Sequence, residues 1–521
     1  MLWRCSPRWH SGWRGDVMTA SGFTGLTIGR GIRCAAAGAP DKIALDDTSG
    51  ASLTYASLVT RMDCVGRMAA AHGLSQGDVV ALVAPNCIEY PEIVAGLSER
   101  GIIVATLNPL LSSEELGMIF ADCRPRLVIA ADGLALPGDS PATLRIGPEY
   151  EAAIARADSA MLPVSVAETD TFAIAYTSGT TGCPKGVLLP HRSRCLMFGA
   201  MAAEYMCFGR DDHFLALAPM CHGAGLAFAL APLYNGGRCT LAYSANPAHL
   251  LDALDRFRPT GIFVVPTHLH RLFSAEPGLL EQYRGQHALR TIISNAAALP
   301  PPLKQTAVSY FGEGLLHETY GSTEAGIVTN IRPHELLRRP RSVGRAFSCI
   351  EIELRREDGS ITEAGEPGEL FCRGPYAFNG YLNRPDETQA TLVDGWITVG
   401  DIGIRDDDGY ITITDRKKDM IITGGMNVYP REIENVIEAL DGVAECAVVG
   451  RSDPEWGEAL MAFVVPIPDA GPTAEQVLGA CRKSLAAYKV PKSVVFLNAL
   501  PRNATGKLMK MNLRQTPGIS A

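Results

Sequence analysis

The strongest constraint on the fold is an alternation of short apolar runs with amphipathic segments, sustained from about Asp41 to about Asp415. Such runs suit strands buried on both faces, and the amphipathic segments suit helices that cover them, so the pattern predicts an α/β layer structure. Residues 78–84 read as a buried strand, 88–99 as a helix stopped near Gly101, and 102–107 as the next strand. Ser112 and Glu115 then offer a capping box for a helix through Asp122, ahead of a strand at 127–130. Further strands are expected at 172–176, 261–265 and 291–294. Each ends in small or polar residues, where a parallel sheet receives its ligand.

Beyond Asp415 the spacing tightens: a helix is expected around 432–440, strands near 444–449 and 462–465, and a helix over 474–485. A chain of 521 residues exceeds the roughly 250–300 at which one core stops growing. The reading is therefore two domains, 41–417 large and 418–521 small, after a leader at 1–40 expected to be disordered. In that leader Trp3, Trp9 and Trp13 stand beside Arg4, Arg8 and Arg14, with Asp16 the one acid before Asp41. It reads as a transit peptide or as sequence ahead of a start at Met18.

A net charge of −9 gives no footprint for nucleic acid, and the 14 cysteines show no CxxC or zinc spacing. A reducing compartment follows: the cytoplasm, or an organelle matrix if the leader is a transit peptide. The uncharged stretch 214–234 is broken by Pro219, Gly223, Gly225 and Pro232, so it reads as core and pocket wall instead of a membrane span. The pairs Asp394-Gly395 and Asp408-Gly409 read as hairpin turns, and the acidic run 406–408 as a solvated turn, since it lacks a calcium loop's spacing.

The most informative segment is YTSGTTGCPKG, residues 176–186, directly after an expected strand. Gly179, Gly182 and Gly186 let backbone N–H groups approach an anion, Thr177, Ser178, Thr180 and Thr181 add hydroxyls, and Lys185 adds a charge. This composition fits a polyphosphate, but it lacks the Gly-Lys-Ser/Thr spacing of a P-loop. Tyr320, Gly321, Ser322, Thr323 and Glu324 bring an aromatic plane, a flexible residue, two hydroxyls and a carboxylate together after another expected strand. Those groups suit adenine, phosphate and magnesium.

The string at 176–186 resembles the phosphate-binding loop of the adenylate-forming superfamily, which includes acyl-CoA synthetases, coumarate-CoA ligases, luciferase and peptide-synthetase adenylation domains. The resemblance runs in order along most of the chain. It implies a large multi-sheet α/β domain with a small mobile C-terminal α+β domain. It also implies that Tyr320 and Gly321 meet the nucleotide, that Glu324 holds Mg²⁺ and that Thr323 meets a phosphate. Asp401, in WITVGDI, matches the ribose-binding carboxylate; Val399 between Thr398 and Gly400 departs from the usual Thr-Gly-Asp and leaves Thr398 without an assigned role. Within DRKKD, Arg416 matches a ribose contact and Lys418 the inter-domain pivot. Gly425 and Met426 fall where the family lines its CoA tunnel, and Lys507, in PRNATGKLMK, matches the catalytic lysine.

The resemblance further implies ATP, Mg²⁺ and coenzyme A, with a carboxylic acid activated as acyl-AMP and passed to the CoA thiol. His222 resembles the gate of acyl-CoA synthetases. The acid pocket is expected from His222, Gly223, Asn295, Ala296, Ala297 and Ser322, with Asn295 standing where many relatives have glycine. The absence of any acid in residues 219–225 disfavours an amino-acid substrate, whose ammonium needs a buried partner. A stand-alone enzyme that loads a carrier protein, a luciferase-like monooxygenase and a nucleotide sensor share the fold; a sensor would be expected to lack Lys507, Glu324 or Asp401. The sequence leaves the acid's size and the choice between monomer and dimer open.

Overall fold

The structure, a computed structural model, describes residues 25–156, 164–177, 184–423, 426–453, 456–468, 470–502 and 508–515. Two sheets dominate it. The first runs in the order Thr143–Arg145, Leu127–Ala130, Val79–Val83, Ile103–Leu107, Thr171–Thr177 and Lys185–Pro190, parallel except at the last strand. The second has nine strands and is parallel through Leu316–Ser322, Thr291–Ser294, Gly261–Val264, His213–Ala216, Arg238–Leu241 and Ile43–Asp47. The expected strands therefore form within a residue or two of their anticipated ends. Ser112 and Glu115 close the capping box, with Ser112 N donating to Glu115 Oε2 at 2.8 Å.

The largest core lies between the two sheets and is filled by helices Tyr55–Ala71, Glu89–Ser98, His191–Tyr205 and Gly223–Asn235. Helix Gly223–Asn235 is apolar nearly all round and buried over most of its length, as a helix walled in by sheets must be. This accounts for the uncharged stretch at 214–234: a strand, a turn and a buried helix. Among the described residues no helix is long and apolar enough to cross a membrane.

Two expectations are corrected. The leader does not run unstructured to residue 40, because Ile28–Gly38 is a helix whose Ile28, Ile32 and Ala36, one turn apart, enter the main core. Glycines make this close packing possible: a methyl group on Gly31 would stand 2.1 Å from the Tyr234 ring. Residues 1–24 lie outside the described residues. Nor does the α/β alternation reach Asp415. Residues 351–416 build a six-stranded antiparallel sheet, whose Pro367–Arg373 strand buries every second residue. Asp394, with φ +51°, and Gly395, with φ +79°, make the tight turn between Leu392–Val393 and Trp396–Ile397. Asp406 and Asp408 both pair with Arg339, so the acidic run is a charge-matched turn.

A fourth sheet carries Ile421–Thr423, Met426–Val428, Val443–Asp453, Gly457–Pro466 and Ser493–Phe496, flanked by helices Pro430–Glu438 and Ala474–Ser484 on one side. Its two long strands exceed the expected spans because they continue into a hairpin beyond the apolar stretch.

Candidate active site

The parallel strands of the nine-stranded sheet all end at one edge, where open parallel sheets bind ligands. Immediately beyond these ends come His222, Asn295–Ala297 and Thr323–Glu324, so the tertiary fold unites segments a hundred residues apart.

On one side of this edge stands a carboxylate with two partners. Tyr320 donates its phenol hydrogen to Asp401 Oδ2 at 2.6 Å, and Arg416 Nε pairs with Asp401 Oδ1 at 2.8 Å. Asp401 and Arg416 face each other in register on neighbouring antiparallel strands, which fixes their approach. Burial and the Asp401 charge push the Tyr320 phenol well above its ordinary range, so it stays a donor. Thr398 turns away: it donates to Glu369 Oε1 at 2.7 Å and accepts Gly400 N at 3.1 Å, holding the turn in which Gly400 takes φ +78°.

The next cluster centres on Glu324, which is 8% exposed and accepts the Tyr381 hydroxyl at 2.7 Å. Arg194, buried in helix His191–Tyr205, donates to the Thr323 carbonyl at 2.8 Å and the Tyr376 carbonyl at 3.1 Å. Burial lowers the Arg194 guanidinium to about 10, with the Glu324 charge opposing the fall. Lys185 pairs with Glu387 and lies 5.5 Å from the Tyr381 ring centroid. Tyr381 thus touches both Glu324 and Lys185. Sequence reasoning missed Arg194, Tyr381 and Glu387; the one available signal was Arg194 directly ahead of the apolar run Cys195–Met201.

Thr177 ends its strand directly opposite Lys185. Ser178, Gly179, Thr180, Thr181 and Gly182 lie outside the described residues. Gly186 lies in strand Lys185–Pro190, where a methyl group would meet the Ile174 side chain at 2.8 Å, so its small size serves strand packing.

On the opposite side, His222 immediately precedes helix Gly223–Asn235, and burial lowers its pKa and keeps the ring neutral at pH 7. A methyl group on Gly223 would stand 3.2 Å from Thr323 Cγ2, so the helix start abuts the Thr323 side chain. Asn295 donates to Thr319 Oγ1 at 2.7 Å and accepts the Ala296 N–H. Ala296 is held at φ +75°, an unfavourable region for a residue with a side chain. Glu318, buried with Lys304, accepts Leu299 N at 2.9 Å and fixes the far end of this loop. Ala296 and Ala297 are exposed, and Ser322 accepts the Ala325 N–H at 3.1 Å. Gly321 is required by its strand partner, since a methyl group there would meet the Gly326 carbonyl oxygen at 2.1 Å.

Lys418 falls in the 3₁₀ turn Lys417–Asp419, just after Asp415, which accepts Arg431 N at 3.0 Å. Met426 begins strand Met426–Val428 and is exposed; Gly425 lies outside the described residues. Lys507 also lies outside them, but the segment on either side is held. Arg502 and Leu508 form a β-bridge, and Lys510 Nζ pairs with buried Glu434 at 2.7 Å. Among the described residues no three His, Cys, Asp or Glu side chains gather as a metal site.

Comparison with known proteins defines the class that this edge serves. The chain matches the AMP-binding enzyme family over residues 32–382 and the AMP-binding enzyme C-terminal domain over 432–507. It is 34% identical over 480 residues to a feruloyl-CoA synthase from Amycolatopsis, covering 90% of this chain and 95% of that one. A long-chain-fatty-acid–CoA ligase of Mycobacterium tuberculosis is 33% identical, with 90% and 94% covered. Among solved structures, ATP-bound MatB from Rhodopseudomonas palustris superposes with a TM-score of 0.84 at 31% identity, covering 91% of this chain and 96% of that one. The chain belongs to the AMP-binding, adenylate-forming enzyme family.

Proposed function

We propose that this protein is an AMP-forming acid–CoA ligase that converts an apolar carboxylic acid to acyl-AMP, releases pyrophosphate and transfers the acyl group to coenzyme A. The observation that carries the site assignment is the joining of Tyr320, Asp401 and Arg416 beside the Thr323–Gly223 contact. Asp401, read as the nucleotide-binding carboxylate, then stands next to a wall suited to an acid. In this reading Asp401 accepts the ribose hydroxyls, with Arg416 alongside, and Tyr320 and Gly321 lie against adenine. The phosphates lie over Thr177–Gly182 and Lys185.

The substrate carboxylate attacks the α-phosphate and pyrophosphate departs. Thr323, held through its carbonyl by Arg194, and the cations Lys185 and Lys507 stabilise the charge that gathers on the phosphate oxygens. Glu324 would be the side chain that holds Mg²⁺. The ion would supply charge neutralisation at the phosphates. His222, neutral, gates the acid's entry, and Asn295, Ala296, Ala297 and Ser322 form the pocket rim.

The CoA thiol then attacks the acyl carbonyl and AMP leaves, with Gly425 and Met426 along the pantetheine path. The domain reading is 41–417, extended forward by helix Ile28–Gly38, and 418–521, pivoting at Lys418. It is supported by one relative seen in two states: the overlay on MatB falls from a TM-score of 0.84 with ATP to 0.73 without, as movement of one domain would produce. The enzyme is read as cytoplasmic, in keeping with unpaired cysteines among the described residues.

Purified enzyme given ATP, Mg²⁺, CoA and a panel of fatty, aryl and alicyclic acids tests the reading. Acid-dependent pyrophosphate release and a thioester product are expected. Pyrophosphate without thioester would mean another acceptor, and neither product with any acid would reject the assignment.

A further inference from the structure

In the ligase reading, an acid with its carboxyl at the Thr323–Gly223 contact runs between helix Gly223–Asn235 and the face of the nine-stranded sheet that carries Asn295 and Phe263. Alternation assigns that face: Ile293 belongs to the main core beneath Asn295, whereas Ile292 and Val264 belong to the core on the far side. Phe263 lies opposite Ile293 in the parallel register, so it stands on the same face, one strand over.

Aromatic rings fill the space between that helix and that face. Phe228, on the helix, lies face to face on Phe263, with ring centroids 4.1 Å apart and planes within 7°. Behind it Phe214 stacks on Phe228 at 6.1 Å and Phe208 on Phe214 at 4.7 Å. Phe228 and Phe263 are 3% and 1% exposed, and Phe208 and Phe214 are fully buried. The plug thus spans from the helix to two strands, and no single rotamer change opens it, because each ring is held by the next.

Phe228 comes five residues after Gly223, so the rings stand roughly 7–8 Å along the helix from its start. That length takes about six carbon–carbon bonds of ~1.5 Å in a zigzag. We infer that the Phe228–Phe263 stack is the floor of the acid pocket and restricts the enzyme to compact acids, aryl acids or chains of about six carbons, excluding long-chain fatty acids. This rests on the ligase reading above and adds the substrate's size class to it. A flat aryl ring finds an aromatic floor here, which complements its edge and face.

The test is acid-dependent pyrophosphate release with acetate, hexanoate, decanoate, hexadecanoate, benzoate and 4-hydroxycinnamate, for the wild type and for Phe228→Ala and Phe263→Ala. Expected is a wild-type kcat/KM for hexanoate or an aryl acid at least about 100-fold above that for hexadecanoate. Each alanine variant should raise decanoate relative to hexanoate by about 10-fold or more. Should an alanine variant fail to fold, Phe228→Leu is expected to shift the profile in the same direction by less. Hexadecanoate used as well as hexanoate by the wild type, or folded variants with an unshifted profile, would overturn the inference. Activity on no acid at all would instead reject the ligase reading on which it rests, so the two failures are distinct.

Discussion

Tyr320 and Asp401, 81 residues apart in the chain, meet through a 2.6 Å hydrogen bond that leaves each Asp401 oxygen with one donor, Tyr320 on Oδ2 and Arg416 on Oδ1. A carboxylate has about four acceptor positions, so two remain for ribose hydroxyls, aimed by the protein partners. Asp401→Asn keeps the shape but loses charge and acceptor capacity. It is expected to raise the KM for ATP by about 10- to 100-fold, as loss of charge-assisted hydrogen bonds does. Tyr320→Phe should raise it less, about 10-fold. Pyrophosphate release against ATP concentration checks both.

Lys507→Ala should lower acyl-adenylate formation by about 10²- to 10³-fold, the cost of removing one transition-state donor. Transfer from pre-made acyl-adenylate to CoA should be spared. Equal damage to both half-reactions, measured separately, would refute a division of labour between two domain arrangements.

Arg194→Leu removes the donor to the Thr323 and Tyr376 carbonyls and leaves Glu324 without its buried cationic neighbour. Each stranded carbonyl costs about 1–3 kcal/mol, so both Tm and kcat should fall. Arg194→Lys should recover part of Tm but less of kcat, because one ammonium does not reproduce the guanidinium fork that reaches two carbonyls.

Lys510, partly buried, pairs with the buried Glu434 at 2.7 Å. Lys510→Met leaves the Glu434 carboxylate with Arg431 at 3.5 Å and the Val448 N–H at 2.9 Å, and should cost about 1–3 kcal/mol in the C-terminal unit. Replacing both together with apolar residues should cost more, because the Val448 N–H then loses its acceptor. Denaturant unfolding of the single and double variants measures the difference.

His191 accepts the Ile28 N–H on Nδ1 at 3.1 Å, which requires that nitrogen to be unprotonated, and burial lowers its pKa to about 4. The folded value lies below the unfolded 6.5, so its stabilising contribution is full above pH 6.5 and is lost as pH falls towards 4. That amounts to about 3 kcal/mol. Asp415 works in the opposite sense: burial pushes its carboxyl up to about 6, so it favours folding less as pH rises from 4 to 6. Hydrogen exchange should show helix Ile28–Gly38 opening as pH drops from 6.5 to 4, and Asp415→Asn should steepen the overall loss of stability with acid.

The sequence by itself determined the strands and helices of the parallel sheets, the capping box at Ser112 and the small or polar residues at the strand ends. Each follows from periodicity, caps and turn residues within short windows, and even the turn residues Asp394, Gly395 and Gly400 are local requirements. Only the tertiary structure decided that Tyr320 reaches Asp401, that Arg194 carries the Thr323 carbonyl, that Tyr381 touches both Glu324 and Lys185, and that Phe228 lies flat on Phe263. These contacts join residues distant in the chain, and which distant side chains meet depends on sheet order and register, to which no local pattern refers. The same cause explains both corrections. Ile28–Gly38 is a helix because the main core receives Ile28 and Ile32, and residues 351–416 pair antiparallel because their hairpins close on one another.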